Sequence, residues 1–119
     1  MNMLALDTQP LAQLFGALED ETRLRILAVL AHGELCVCHL QELLSLSQPN
    51  ASRHLRVLRL AGLVSDRRSG RWVHYRLTKQ VDPACARVLR PLIRGFAADA
   101  ALRRRIRSLA AKSGSKACA

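Results

Sequence analysis

The stretch SLSQPNASRHLRVLRLAG, Ser45 to Gly62, decides how the rest of the chain is read. Ser47 is a natural N-cap, and Pro49 falls in the first turn of the helix that would follow, where a missing N–H has no intrahelical partner to lose. Turning about 100° per residue puts Ala51, Leu55 and Leu58 on one side. Asn50, Arg53 and Arg56 fall on the other, flanked by Gln48 and Ser52. Gly62 stops the helix. Such a helix can dock on a core by one face and offer hydrogen-bonding side chains to a groove by the other. His54 lies between the two faces, as a packing or phosphate-contacting residue.

Working outward, three short helices are expected upstream. Pro10 to Leu18 carries the stripe Leu11, Leu14, Phe15 and Leu18. Asp20 caps ETRLRILAVLAH, which Gly33 ends. Leu35 to Leu44 has Val37, Leu40, Leu43 and Leu44 at helical spacing. Downstream, LVSDRRSGRWVHYRL alternates around a turn at Ser69-Gly70, with Val73, Tyr75 and Leu77 on one strand face. That is a hairpin with a basic tip of Arg67, Arg68 and Arg71. Asp82 and Pro83 open another helix, which Pro91 should kink or end near Arg90. A further helical stretch is expected from Phe96 to Ala111, and the small, polar KSGSKACA reads as a disordered tail. The chain is thus one domain, 1–111, with a tail, 112–119. The fold class is mainly α with a small β-hairpin wing, a winged helix-turn-helix in α-α-α-α-β-β-α order.

Charge points the same way. Lys and Arg number 19 against 9 acidic residues, a net charge of +10, while aromatics make up only 3% of the 119 residues. The core must be built from aliphatic side chains, which suits packed helices. A basic excess this large favours a polyanionic partner, nucleic acid before membrane. The expected DNA-facing set is Gln48, Asn50, Ser52, Arg53, His54 and Arg56 on the helix, with Arg67, Arg68 and Arg71 on the hairpin. One short helix covers few base pairs, so a dimer on an inverted repeat is expected. No P-loop, dinucleotide fingerprint or Ser/His/Asp set is present, and no enzyme is expected. MNMLALDTQP lacks a secretory pattern and no apolar run reaches membrane length, so the expected location is cytoplasmic and the cysteines are expected to be thiols.

Two of those cysteines are oddly placed, in GELCVCHLQELL. Thiolates select soft ions. Two sulfurs about 2.3 Å from one centre lie within roughly 4 Å of each other. Cys36 and Cys38, at i and i+2, point apart in a regular helix, so a bound ion should unwind or distort that turn. The turn opens the helix that supports the groove-reading one, and a ligand preferring the distorted form would disfavour DNA binding. Other readings stay open: small core residues, a zinc or cadmium site, a strained redox disulfide, or a DNA-binding protein with no ligand. Zinc usually takes four protein ligands, and nearby only His39 joins the pair.

ELCVCHL, then SQPNASRHLRVLRLAGLV, then DRRSGRWVHYRL resemble the ArsR/SmtB family of metal-responsive repressors over Ala12 to Leu77, and the arsenic-responsive branch most of all. The resemblance implies a homodimeric repressor, without a permanent cofactor, on double-stranded operator DNA upstream of resistance genes. It implies release when arsenite or antimonite binds Cys36 and Cys38, and a dimer interface made by the first helix and the helices after the wing. It further implies that the cadmium/zinc-responsive or redox-responsive alternatives would share the fold. Relatives often carry a third cysteine where this chain has Gln41, and an acidic residue where it has His39. Cys118 is then the candidate third sulfur and Cys85 a packing residue. Methylarsenite, which needs only two thiolates, should suit such a site at least as well as arsenite.

Overall fold

The computed structural model describes residues 8–113. Their order is α1 (Thr8–Leu18), α2 (Glu21–Leu30), β1 (Leu35–Cys36), α3 (Val37–Leu44), α4 (Gln48–Leu60), β2 (Val64–Ser69), β3 (Trp72–Leu77), α5 (Pro83–Ala97) and α6 (Ala100–Ser113). This is the expected winged helix-turn-helix, with a two-residue strand added before α3 and two helices after the wing. The sheet is antiparallel in the order β1-β3-β2.

The caps fall where the side chains dictate. Asp20 accepts from the Arg23 N–H to start α2, Ser47 from the Asn50 N–H to start α4, and Asp82 from the Ala84 and Cys85 N–H groups to start α5. Gly62 takes φ 76° just past α4, the left-handed turn that lets the Leu63 N–H reach the Leu58 carbonyl. Leu14, Ile26, Leu27, Leu40, Leu55 and Leu58 are almost fully buried and join α1 to α4 into one core, which Tyr75, Cys85 and Leu89 extend under the wing and α5.

Several expected boundaries move. The third helix begins at Val37, not Leu35, because Leu35 and Cys36 pair with Tyr75 and His74 of β3. The hairpin loop is Gly70-Arg71 and not Ser69-Gly70, since Ser69 still pairs with Trp72. Helix α2 ends in regular form at Leu30, before Gly33. Pro91 neither ends nor divides α5, which runs on to Ala97. Pro91 and Arg87 are both exposed, so the carbonyl left without an N–H partner faces water. Phe96 therefore belongs to α5. Helix α6 starts only after Asp99, which accepts from the Leu102 N–H, and it runs to Ser113.

Candidate functional site

Helix α4 rests on α3 through its buried side, Ala51, Leu55 and Leu58. Its outer side is polar. Gln48 donates to the Ser52 hydroxyl at 3.1 Å, and Arg53 donates to the Asn50 side-chain oxygen. Arg56 is exposed one turn further on. His54 differs from these, with a side chain only 12% exposed. Its Nδ1 lies 3.7 Å from Asp20 and 3.4 Å from the Arg23 guanidinium. The structure therefore uses His54 to seat α4 on the start of α2, where the Arg23 backbone N–H, ahead of His54 itself, holds the Asp20 carboxyl below its ordinary pKa.

The wing arginines also divide. Arg71 stacks on Trp72, its guanidinium 4.9 Å from the ring centroid, and Arg68 is exposed beside it. Arg67 is gripped by both carboxylate oxygens of Glu34 at 2.8 and 2.9 Å. That hydrogen bond, more than the charge alone, holds Glu34 below its ordinary pKa and raises that of Arg67. Arg59, near the end of α4, pairs with Asp66 of β2 at 3.5 Å, so α4 and the wing are tied together.

Cys36 and Cys38 do not point apart. Their Sγ atoms approach to 2.8 Å. The expectation of diverging thiols assumed a helix running through both residues. Cys36 instead has φ −67° and ψ 145°, an extended N-cap, and only Cys38 is helical. The pleat before the helix turns the first side chain toward the second. No unwinding is needed to bring the sulfurs within reach of one centre.

The pair opens into a cleft of about 360 Å³ between the helix-turn-helix and the wing. Gln41 lines the α3 side, with Gln48, Ser52 and Leu55 opposite; Arg68, Arg71, Trp72 and Tyr75 close it from the wing. The sequence reading missed Trp72, Leu55 and Tyr75 as walls of this space: alternation in WVHYRL gave Tyr75 its strand face and the α4 stripe gave Leu55 its buried side, but neither pattern names a space between elements. Cys85 is elsewhere, buried between α1 and α5 with its Sγ 3.4 Å from the Pro10 carbonyl oxygen, and burial pushes its thiol pKa up. Cys118 lies outside the described residues. Among the described residues no group of three or more His, Cys, Asp or Glu side chains could hold a metal ion. Nor is any helix among them long and apolar enough to cross a membrane.

Residues 20–66 match the family model of bacterial regulatory proteins of the arsR family. The chain is 51% identical over 78 residues to the arsenical resistance operon repressor of Escherichia coli, covering 65% of this chain and 67% of that one. It is 54% identical over 68 residues to the arsenic resistance transcriptional regulator ArsR1 of Pseudomonas putida, where the match covers 56% of this chain and spans only about half (53%) of the relative. A solution structure of a homodimeric winged helix-turn-helix DNA-binding domain from Mycobacterium bovis, a possible ArsR-family regulator, superposes with a TM-score of 0.60 at 28% identity, covering 81% of this chain and 84% of that one. The exposed polar face of α4, the basic wing and the dithiol motif at the foot of α3 thus sit on a shared scaffold of transcriptional regulators, and the chain belongs to the ArsR/SmtB family of winged-helix transcriptional repressors.

Proposed function

We propose that this repressor responds to trivalent arsenic or antimony. A homodimer in the cytoplasm binds an operator with α4 in the major groove and the wing on the adjacent backbone, and operator binding is lost when the metalloid occupies Cys36 and Cys38. The observation that carries this reading is the 2.8 Å approach of the two sulfurs at the cleft between recognition helix and wing. Each arsenic–sulfur bond replaces an arsenic–oxygen bond, and the thiol proton leaves with the hydroxyl oxygen as water. A group held there stands between Gln48 and Ser52 on one side and Arg71 and Trp72 on the other. Ligand and DNA then compete for one arrangement of helix and wing, and each lowers the affinity for the other by the same factor.

The donor set suits a three-bonded centre better than a tetrahedral metal, since zinc usually takes four protein ligands. Gln41 lines the cleft but is no sulfur donor. Arsenite would keep one oxygen or draw on Cys118, whereas methylarsenite already spends its third bond on carbon. The test is an operator-binding titration with arsenite, antimonite, methylarsenite, cadmium and zinc. Cys36→Ser and Cys38→Ser should each bind DNA normally and release it poorly, and normal release by the double variant would refute the reading. The same sulfur approach also favours a redox reading, in which the two thiols give up two electrons and two protons to a peroxide and form a disulfide. Release by peroxide, reversed by a dithiol reductant and absent with arsenite, would select it.

A further inference from the structure

Helix α6, AALRRRIRSLAAKS, lies wholly beyond the residues 20–66 that match the family model. Leu102, Ile106 and Leu109 recur at helical spacing and pack against the core. The helix lies on α3, where Arg105 donates to the Leu43 carbonyl oxygen at 3.4 Å, one of the last-turn acceptors that a helix leaves unpaired. A depression beside that contact is bordered by Arg105 from α6, Arg25 from α2 and Ser45 from the turn leading into α4. Arg103 turns back to the Ala97 carbonyl oxygen and fixes the α5–α6 corner.

Two arginines remain. Arg104 and Arg107 are exposed on the outer side of α6, and neither pairs with a carboxylate among the described residues. The helix itself contains no acidic residue. Nearer the turn the surface is mixed, with Asp99 and Glu42 beside Arg105 and with Arg25 paired to Glu21, so the unneutralised positive charge lies on the outer side of α6 itself. We propose that α6 is a second DNA-contacting surface, in which Arg104 and Arg107 hold the phosphate backbone flanking the site read by α4. The occupant is duplex DNA because the surface is cationic, is carried by a helix that packs on α3 and reaches the turn leading into α4, and offers no pattern of base-reading side chains, the requirements of a contact that positions without specifying. An anionic membrane would need the apolar stripe for insertion, and that stripe already faces the protein's own core.

The test compares two duplexes carrying the same selected operator, one ending at its borders and one longer by a helical turn on each side. Wild-type protein should bind the longer duplex more tightly, and Arg104→Ala/Arg107→Ala should lose that gain while keeping its affinity for the short duplex. Its slope of log affinity against log salt should fall by about 0.9 for each phosphate that is no longer neutralised. Arg104→Lys/Arg107→Lys should restore most of the slope. Equal affinity of wild type for both duplexes, or an unchanged slope in the alanine variant, would overturn the proposal. So would a loss traced by sedimentation to a broken dimer, or binding of the wild type to phosphatidylserine vesicles that the alanine variant loses.

Discussion

Glu34 grips Arg67 with both oxygens, and this removes one wing arginine from the set left open to phosphate. The pair spans 33 residues of sequence, joining the approach to the dithiol motif with the outer wing strand. It also has a pH signature. Arg67 depresses the Glu34 pKa below its ordinary 4.5. A carboxylate with a lowered folded-state pKa adds stability that is fully present above its unfolded value and is lost as pH falls through the folded one. Glu34→Gln should therefore lower the urea midpoint modestly at neutral pH, where the carboxylate's contribution is fully present, and converge on the parent as pH falls below 4.5, the remaining acid dependence staying with Asp20. Profiles of equal steepness for the two proteins would show that the pair adds nothing. In the sequence, Arg67 could only be grouped with Arg68 and Arg71, because no local pattern names a partner 33 residues away. His54 was harder still: its position between two faces was visible, but not that Asp20 and Arg23 would take it.

The helices themselves were legible where a cap announced a start, as at Asp20 and at Asp82-Pro83, and most of all where a cap and an apolar stripe coincided, as in α4. Strand β1 was not, since two residues have no period and become a strand only by pairing with Tyr75 and His74. That pairing is what converts diverging thiols into converging ones, so the most consequential local geometry depends on a contact distant in sequence. Pro91 misled in the opposite direction. It removes one hydrogen bond from α5, but on the exposed face, and the packing of Ala86 and Leu89 holds the helix together. Pro91→Ala restores the N–H without disturbing the core and should raise stability by up to about 3 kcal/mol in denaturant unfolding. A variant less stable than the parent would mean that the proline ring packs against its surroundings more favourably than the bond it forfeits.

Across the whole molecule, net charge and element order were enough to read a DNA-binding fold, because both are sums over many residues and tolerate errors at any one of them. The cleft was not legible, being a space between elements and no property of any one of them. Exposed Phe15 on α1 fits the expected dimer face, beside α5. The position of the cleft also bears on timing. Its rim is shared by Gln48, Ser52 and Arg71, the side chains proposed to sit on the duplex, so a seated operator lies across the entrance. Metalloid would then load only onto repressor that has already let go. In a stopped-flow record of operator release, the rate should climb with arsenite and then level off at the spontaneous departure rate. A rate that keeps rising with concentration would mean entry while the duplex is still bound. On this view the thiols set how little metalloid is noticed, and the arginines set how soon the cell can act on it.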